Sequence, residues 1–234
     1  MTKTYAVPDL HGRWDLLEIA LAQIEEEPPG KIVFLGDYID RGSGSREIVE
    51  CLIDGPRPGW SWICLKGNHE EMMVRTIIGG RDPSPWLGNG GDATLRSYGQ
   101  PFDGSYQPEL VPVSHVLWMD SLPLLHRDIH RVYVHAGVDP LKPLDAQDAH
   151  TLLWKRYPED YDEGHSGFHI VHGHQPYEDG PLCLKGRTDL DTLAWATGRL
   201  VIGIFDDDVP GGPLDFIIIE EEAPPKEADE PAID

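Results

Sequence analysis

Five short apolar runs in this chain each stop at side chains able to ligate a metal. Thr4-Tyr5-Ala6-Val7 leads into Pro8-Asp9-Leu10-His11-Gly12, and Ile32-Val33-Phe34-Leu35 into Gly36-Asp37. Trp60 to Leu65 leads into Lys66-Gly67-Asn68-His69-Glu70, Arg131-Val132-Tyr133-Val134 into His135, and Phe168 to Val171 into His172-Gly173-His174. Runs of this length and β-branched content read as buried strands, and strand ends are where α/β folds build sites. A single Asp-x-His is weak evidence, and surface pairs of that kind are common. Five such strand ends in one chain are hard to assign to structure alone.

The donor types narrow the metal. Neutral imidazole, carboxylate and amide oxygen suit borderline or hard divalent ions, manganese, iron or zinc, rather than thiolate-seeking ones. Met72 and Met73 are core filler on this reading, because thioethers suit soft metals. Within GDYIDRG (36–42), Asp37 and Asp40 offer two carboxylates, and Arg41 offers a planar cation able to grip two phosphate oxygens. Alone, this stretch also reads as a solvated turn with an internal salt bridge.

Between these strand ends the pattern alternates with helices. Trp14, Leu17, Leu21 and Ile24 recur at helical spacing, which predicts a helix over 13–26 stopped by Pro28-Pro29-Gly30. Ser45 is expected to cap a helix over 46–53. Residues 79–112 read as a helical insert with loops beside the site, and 139–164 as a looser excursion. Leu193 to Thr197 and Leu200 to Phe205 read as a hairpin turned at Gly198, and Phe216 to Ile219 as a closing strand. From Glu220 the chain is Glu, Pro, Ala and Asp with little to bury, which predicts a disordered acidic tail over 220–234 behind one domain over 1–219. The residues alone give a βαβ start and a mixed sheet.

The formal net charge of −22 repels nucleic acid and disfavours a DNA or RNA groove. An acidic chain that binds phosphate must concentrate positive charge locally, which metal ions do best. No apolar run is long enough to span a membrane, and no leader-like segment precedes the first strand. Three cysteines without a C-x-x-C fit a reducing cytoplasm.

The motifs D-x-H-G, G-D-x-x-D-R-G, G-N-H-E, the His-Ala-Gly step at 135–137 and the late Gly173-His174, in this order, resemble the calcineurin-like metallophosphoesterases. Within them they resemble the phosphoprotein phosphatase family, in its short bacterial and phage branch. The stretches WLGNGGDATLRSYG, LLWKR and RTDLDTLAWATGRL are similar to that branch as well. The resemblance runs from about Tyr5 to Phe205.

It implies an α/β fold of two mixed β-sheets packed as a sandwich, flanked by helices. It implies two divalent ions: Asp9 and His11 hold one, Asp37 bridges both, and Asn68, His135 and His174 complete the second. It places His69 as general acid paired with Asp40, and Arg41, Asn68 and Arg156 on the phosphate. The implied reaction is hydrolysis of a phosphomonoester by hydroxide held between the metals, without a phosphoenzyme. The expected substrate is a phosphoserine or phosphothreonine protein or a small phosphoester. Hydrolysis of dinucleoside polyphosphates is the alternative, and a silent phosphate-binding scaffold a third. Three departures stand out: Pro8 replaces the usual Gly before the first Asp, Ala136 replaces a Gly, and Lys66 replaces an Arg, which is expected to weaken part of the phosphate grip.

Overall fold

A computed structural model describes residues 2–221. In its first sheet β1 (Lys3–Val7), β2 (Lys31–Phe34) and β3 (Ser61–Cys64) run parallel. Two later strands, β9 (Arg199–Asp206) and β10 (Asp215–Glu220), join antiparallel beside β1, giving the order β10-β9-β1-β2-β3. The second sheet is built from β4 (Leu125–Arg127), β5 (Arg131–Val134), β6 (His169–His172), β7 (Leu182–Cys183) and β8 (Arg187–Asp189). Its order is β4-β5-β6-β8-β7, with β5, β6 and β8 parallel. Both sheets are therefore mixed, and the expected sandwich is the fold.

Side-chain alternation explains the layers. Successive strand residues point to opposite faces, so Ala6, Val33, Leu35 and Phe205 of the first sheet meet Tyr133, Val171 and Leu190 between the two sheets. Their neighbours Tyr5, Val7, Ile32 and Phe34 face outward instead. There they meet Leu17, Leu21 and Ile24 of α1 (Trp14–Ile24) and Ile48, Val49 and Leu52 of α2 (Ser45–Asp54). On the far side Val132, Val134 and Ile170 pack on Leu152 of α7 (Ala149–Trp154). Each fully buried side chain of this size contributes about 1.5–3 kcal/mol, and Phe34→Ala would cost about 3–5 kcal/mol.

Three expectations need correction. Residues 193–197 are not a strand: Leu193 is left-handed (φ 58°) and opens a one-turn helix, α8 (Ala194–Thr197). Ser45 is the first helical residue rather than the cap, and its Oγ accepts a hydrogen bond from the Asp40 N–H at 3.1 Å. The last strand includes Glu220, and Glu221 pairs with Arg13 at 3.1 Å; the rest of the expected acidic tail lies outside the described residues. The Lys66 Nζ donates to Asp120 O at 2.8 Å and stands 3.7 Å from Glu71. It ties α3 (Asn68–Ile77) to the end of α6 (Val113–Ser121). No helix among the described residues is long and apolar enough to cross a membrane.

Candidate metal centre

Because the ligand-bearing strands within each sheet are parallel, their loops leave at one end. The first loop after β2 makes a tight approach: Gly36 is left-handed (φ 103°), and a Cβ there would stand 2.5 Å from Gly67 N. Only glycine allows the β2 and β3 ends to pack that closely. Glu70, inside α3, then gathers the turn. Its Oε2 accepts from the N–H groups of Asp37 and Gly67, both at 2.9 Å, and its Oε1 accepts from Tyr38 at 2.9 Å and Ile39 at 3.4 Å.

The result is a cavity of about 460 Å³ whose wall includes Asp9, His11, Asp37, Asn68, His69, Arg41, Arg156 and His174. These are all of the sequence-derived site residues except His135 and Asp40, which sit directly behind the wall. His135 Nε2 lies 3.5 Å from Asp37 Oδ1 and 2.8 Å from Asn68 Oδ1. Asp40 accepts a hydrogen bond from His69 Nδ1 at 2.6 Å.

Two groups of potential ligand atoms lie together: His11, Asp37 and His69, and Asp37, His135 and His174. Asp37 is common to both. The first group contains His69 where Asp9 was expected. Asp9 instead accepts from the His174 N–H, at 3.1 and 3.3 Å through its two oxygens, beside the same cavity.

The donor set fits divalent cations on its own geometry. Nδ1 of His11 donates to Ile39 O at 2.9 Å, and Nδ1 of His135 donates to Leu35 O at 3.0 Å. That fixes both tautomers and leaves each Nε2 with its lone pair outward. These lone pairs face Asp37 Oδ2 and Oδ1, each at 3.5 Å. A divalent cation placed between them would satisfy both imidazoles and the carboxylate at once.

Electrostatics point the same way. Burial, then Asp191, pushes the Asp9 carboxyl well up, and burial, then Glu70, does so for Asp37. Burial, then His69, pushes the His11 imidazole well down, and burial, then His174, does so for His135. His174 is held down at about 4 by burial and Arg156. A pocket that resists both its anions and its cations is reconciled by a bound metal ion.

Backbone strain gathers here too. Seven non-glycine residues are left-handed among the described residues, and His11, Asp37, Asp40, Arg41, His174 and Leu193 belong to this site. Such conformations cost of order 1–3 kcal/mol each and mark functional positions.

Several residues of the site were not assigned from sequence. Trp86 Nε1 donates to Asp40 at 3.0 and 3.1 Å, and Thr94 Oγ1 donates to Asp40 Oδ1 at 2.6 Å. Both come from the insert 79–112. Asp191, pushed up to about 6 by burial, lines the cavity with Leu193, Trp154 and Trp195. These residues fall inside stretches whose likeness to the phosphatase branch was visible, but nothing local assigns their roles. His172 is packed away from the cavity, between Arg187 and the Tyr157 ring.

The sequence model of the family described as calcineurin-like phosphoesterase matches residues 2–203. A serine/threonine-protein phosphatase from Caenorhabditis elegans is 31% identical over 140 residues, covering 58% of this chain and 27% of that protein. A symmetrical bis(5'-nucleosyl)-tetraphosphatase from Klebsiella pneumoniae is 30% identical over 161 residues, covering 64% of this chain and 50% of that protein. Serine/threonine-protein phosphatase 2 from Salmonella typhimurium is 26% identical over 200 residues, covering 84% and 69%. This chain thus spans about a quarter of the length of the first relative and half of the second. Among solved structures, a protein serine/threonine phosphatase from Saccharomyces cerevisiae has the same fold, with a TM-score of 0.64, 19% identity and coverage of 96% and 82%.

Proposed function

From the premise that this chain belongs to the calcineurin-like phosphoesterase family, we propose that it is a metal-dependent phosphomonoesterase acting on phosphoserine or phosphothreonine in proteins. The observation that carries this reading is the buried pair His69–Asp40 beside Asp37. A phosphate-binding scaffold needs a cationic pocket but no proton donor held in one tautomer.

In this reading Asp9, His11 and Asp37 hold one divalent ion, and Asp37, Asn68, His135 and His174 hold a second. Manganese is the metal expected from the donor set, with iron and zinc as alternatives. Bound there, two such ions would supply Lewis acidity toward phosphate oxygens and lower the pKa of water toward about 7.

The chain's own groups do the rest. Nδ1 of His69 is engaged by Asp40, which leaves Nε2, at the cavity wall, as the nitrogen that would carry a proton to the substrate. From there it passes to the leaving oxygen, which otherwise departs as an alkoxide. Arg41 and Arg156 bind the remaining phosphate oxygens, with Asn68 as a further contact. Arg41 Nη2 lies 3.4 Å from His69 Nε2, so the phosphate grip and the proton donor address neighbouring oxygens.

Similarity to the Klebsiella tetraphosphatase supports a second reading, hydrolysis of dinucleoside polyphosphates. Manganese-dependent turnover of a phosphoserine peptide against a dinucleoside tetraphosphate separates the two. Preference for the peptide is the expected result. Preference for the dinucleotide would overturn the substrate assignment and leave the metal centre in place.

A further inference from the structure

Arg41 is half-buried at the site. Its backbone is left-handed (φ 69°), and its N–H donates to Gly90 O at 3.2 Å. A Cβ on Gly90 would stand 2.8 Å from Arg41 N and 2.9 Å from its Cγ, so glycine is what lets the arginine stem lie there. The guanidinium makes no ion pair among the described residues. Its Nη1 and Nη2 lie 2.9 and 3.4 Å from Nε2 of His11 and of His69.

Neither ring contact survives in a working site. His11 Nε2 has one lone pair and cannot serve a metal and Arg41 together. His69 Nε2 carries the proton meant for the leaving group. What remains for the guanidinium is the Trp195 indole, whose centroid is 5.2 Å from Arg41 Cζ.

The backbone that carries that ring is anchored, while Trp195 itself is 39% exposed. It sits in α8, whose approach is fixed by the Leu193 N–H donating to Asp191 Oδ1 at 2.8 Å and by Arg13 Nη1 donating to Ala194 O at 2.9 Å. It also lines the cavity. A flat guanidinium rests on an aromatic face while its in-plane N–H groups stay free to donate.

We propose that Trp195 is a positioning residue for Arg41: its indole face carries the guanidinium so that the N–H groups stay turned into the cavity for the phosphate. This inference rests on the phosphoesterase reading above. It predicts a role toward the phosphate and none toward the leaving group.

The test is calorimetric titration of metal-loaded protein with inorganic phosphate, which has no leaving group. Trp195→Ala should weaken phosphate binding about two- to fivefold, the range of a partly exposed cation–π contact, with Trp195→Phe retaining most of the affinity. In steady state, Trp195→Ala should raise KM for a phosphoester more than it lowers kcat. In an Arg41→Ala background the same Trp195→Ala change should have no further effect on phosphate binding. Metal content and Tm of the Trp195 variants are measured alongside and should match wild type. Wild-type phosphate affinity in Trp195→Ala, or an undiminished loss without Arg41, would overturn the inference while leaving the phosphoesterase reading intact. A wild-type protein that binds no phosphate would overturn both.

Discussion

Asp40 accepts a hydrogen bond from His69 Nδ1 at 2.6 Å, and neither side chain is more than 2% exposed. Trp86 and Thr94 donate to the same carboxylate, so Asp40 has no freedom to turn away. An imidazole held this way presents one nitrogen to the substrate. His69→Asn should lower kcat on a phosphoserine peptide by about 10²–10⁴-fold. The loss should be much smaller on p-nitrophenyl phosphate, whose leaving group needs little protonation. Asp40→Asn should give the same pattern at smaller size. Equal losses on both substrates would remove the acid role.

Asp9 and His69 divide the two accounts of the first metal position. If the ligands are Asp9, His11 and Asp37, Asp9→Ala should lose one metal by elemental analysis and His69→Ala should keep both. The close group His11, Asp37 and His69 makes the opposite outcome a real alternative, and it would transfer His69 from acid to ligand. Asp37→Asn should empty both positions in either case.

Glu70 accepts four backbone N–H groups of the 36–39 and 67 turns from a fully buried position. Glu70→Gln replaces one acceptor oxygen by an NH₂ that faces donors. Leaving buried donors unpaired costs about 1–3 kcal/mol, and each kcal/mol corresponds to about 2–4 °C in Tm for a chain of this size. The melting curve should fall accordingly, with weaker metal retention because the Asp37 backbone is no longer held. An unchanged Tm would mean that the turn is held by its glycines alone.

Much of this candidate site was legible because its candidate ligands sit directly after strands, where a short apolar run and the polar break that ends it are adjacent in sequence. The sheet partners were less legible. β4, β7 and β8 are two or three residues long and carry no period to detect. Leu193-Ala-Trp-Ala-Thr is apolar enough to read as a strand, and only the left-handed backbone at Leu193 turns it into a helix. Trp86 and Thr94 reach Asp40 across 46 and 54 residues of chain, a relationship made by tertiary packing alone.

His169 offers a pH-dependent test outside the cavity. Burial, then Arg131, holds its imidazole down at about 4, and its Nε2 is 2.9 Å from Thr188 Oγ1. A depressed histidine is neutral in the folded state. The unfolded chain therefore takes up the proton first, and stability is complete above about 6.5 and lost as pH falls toward about 4. The slope reaches about 1.4 kcal/mol per pH unit. Urea unfolding of metal-loaded protein at about pH 7 and about pH 5 should show a shallower decline for His169→Gln than for wild type. Parallel declines would place the acid sensitivity elsewhere.

The two sheets contribute to the centre unequally. The first supplies Asp9, His11, Asp37 and Asn68 at the ends of β1, β2 and β3, and the second supplies His135 and His174 from β5 and β6. Asp37 and His135 face each other across that seam at 3.5 Å. An ion held between them would rivet one layer to the other, and anything bound only by the folded state would slow its loss. Damage to this centre then has two separate fates in a cell. A chain without His69 as acid would persist as an abundant, silent protein, still riveted. A chain without Asp37 would lose the rivet, open more often and be cleared by proteases.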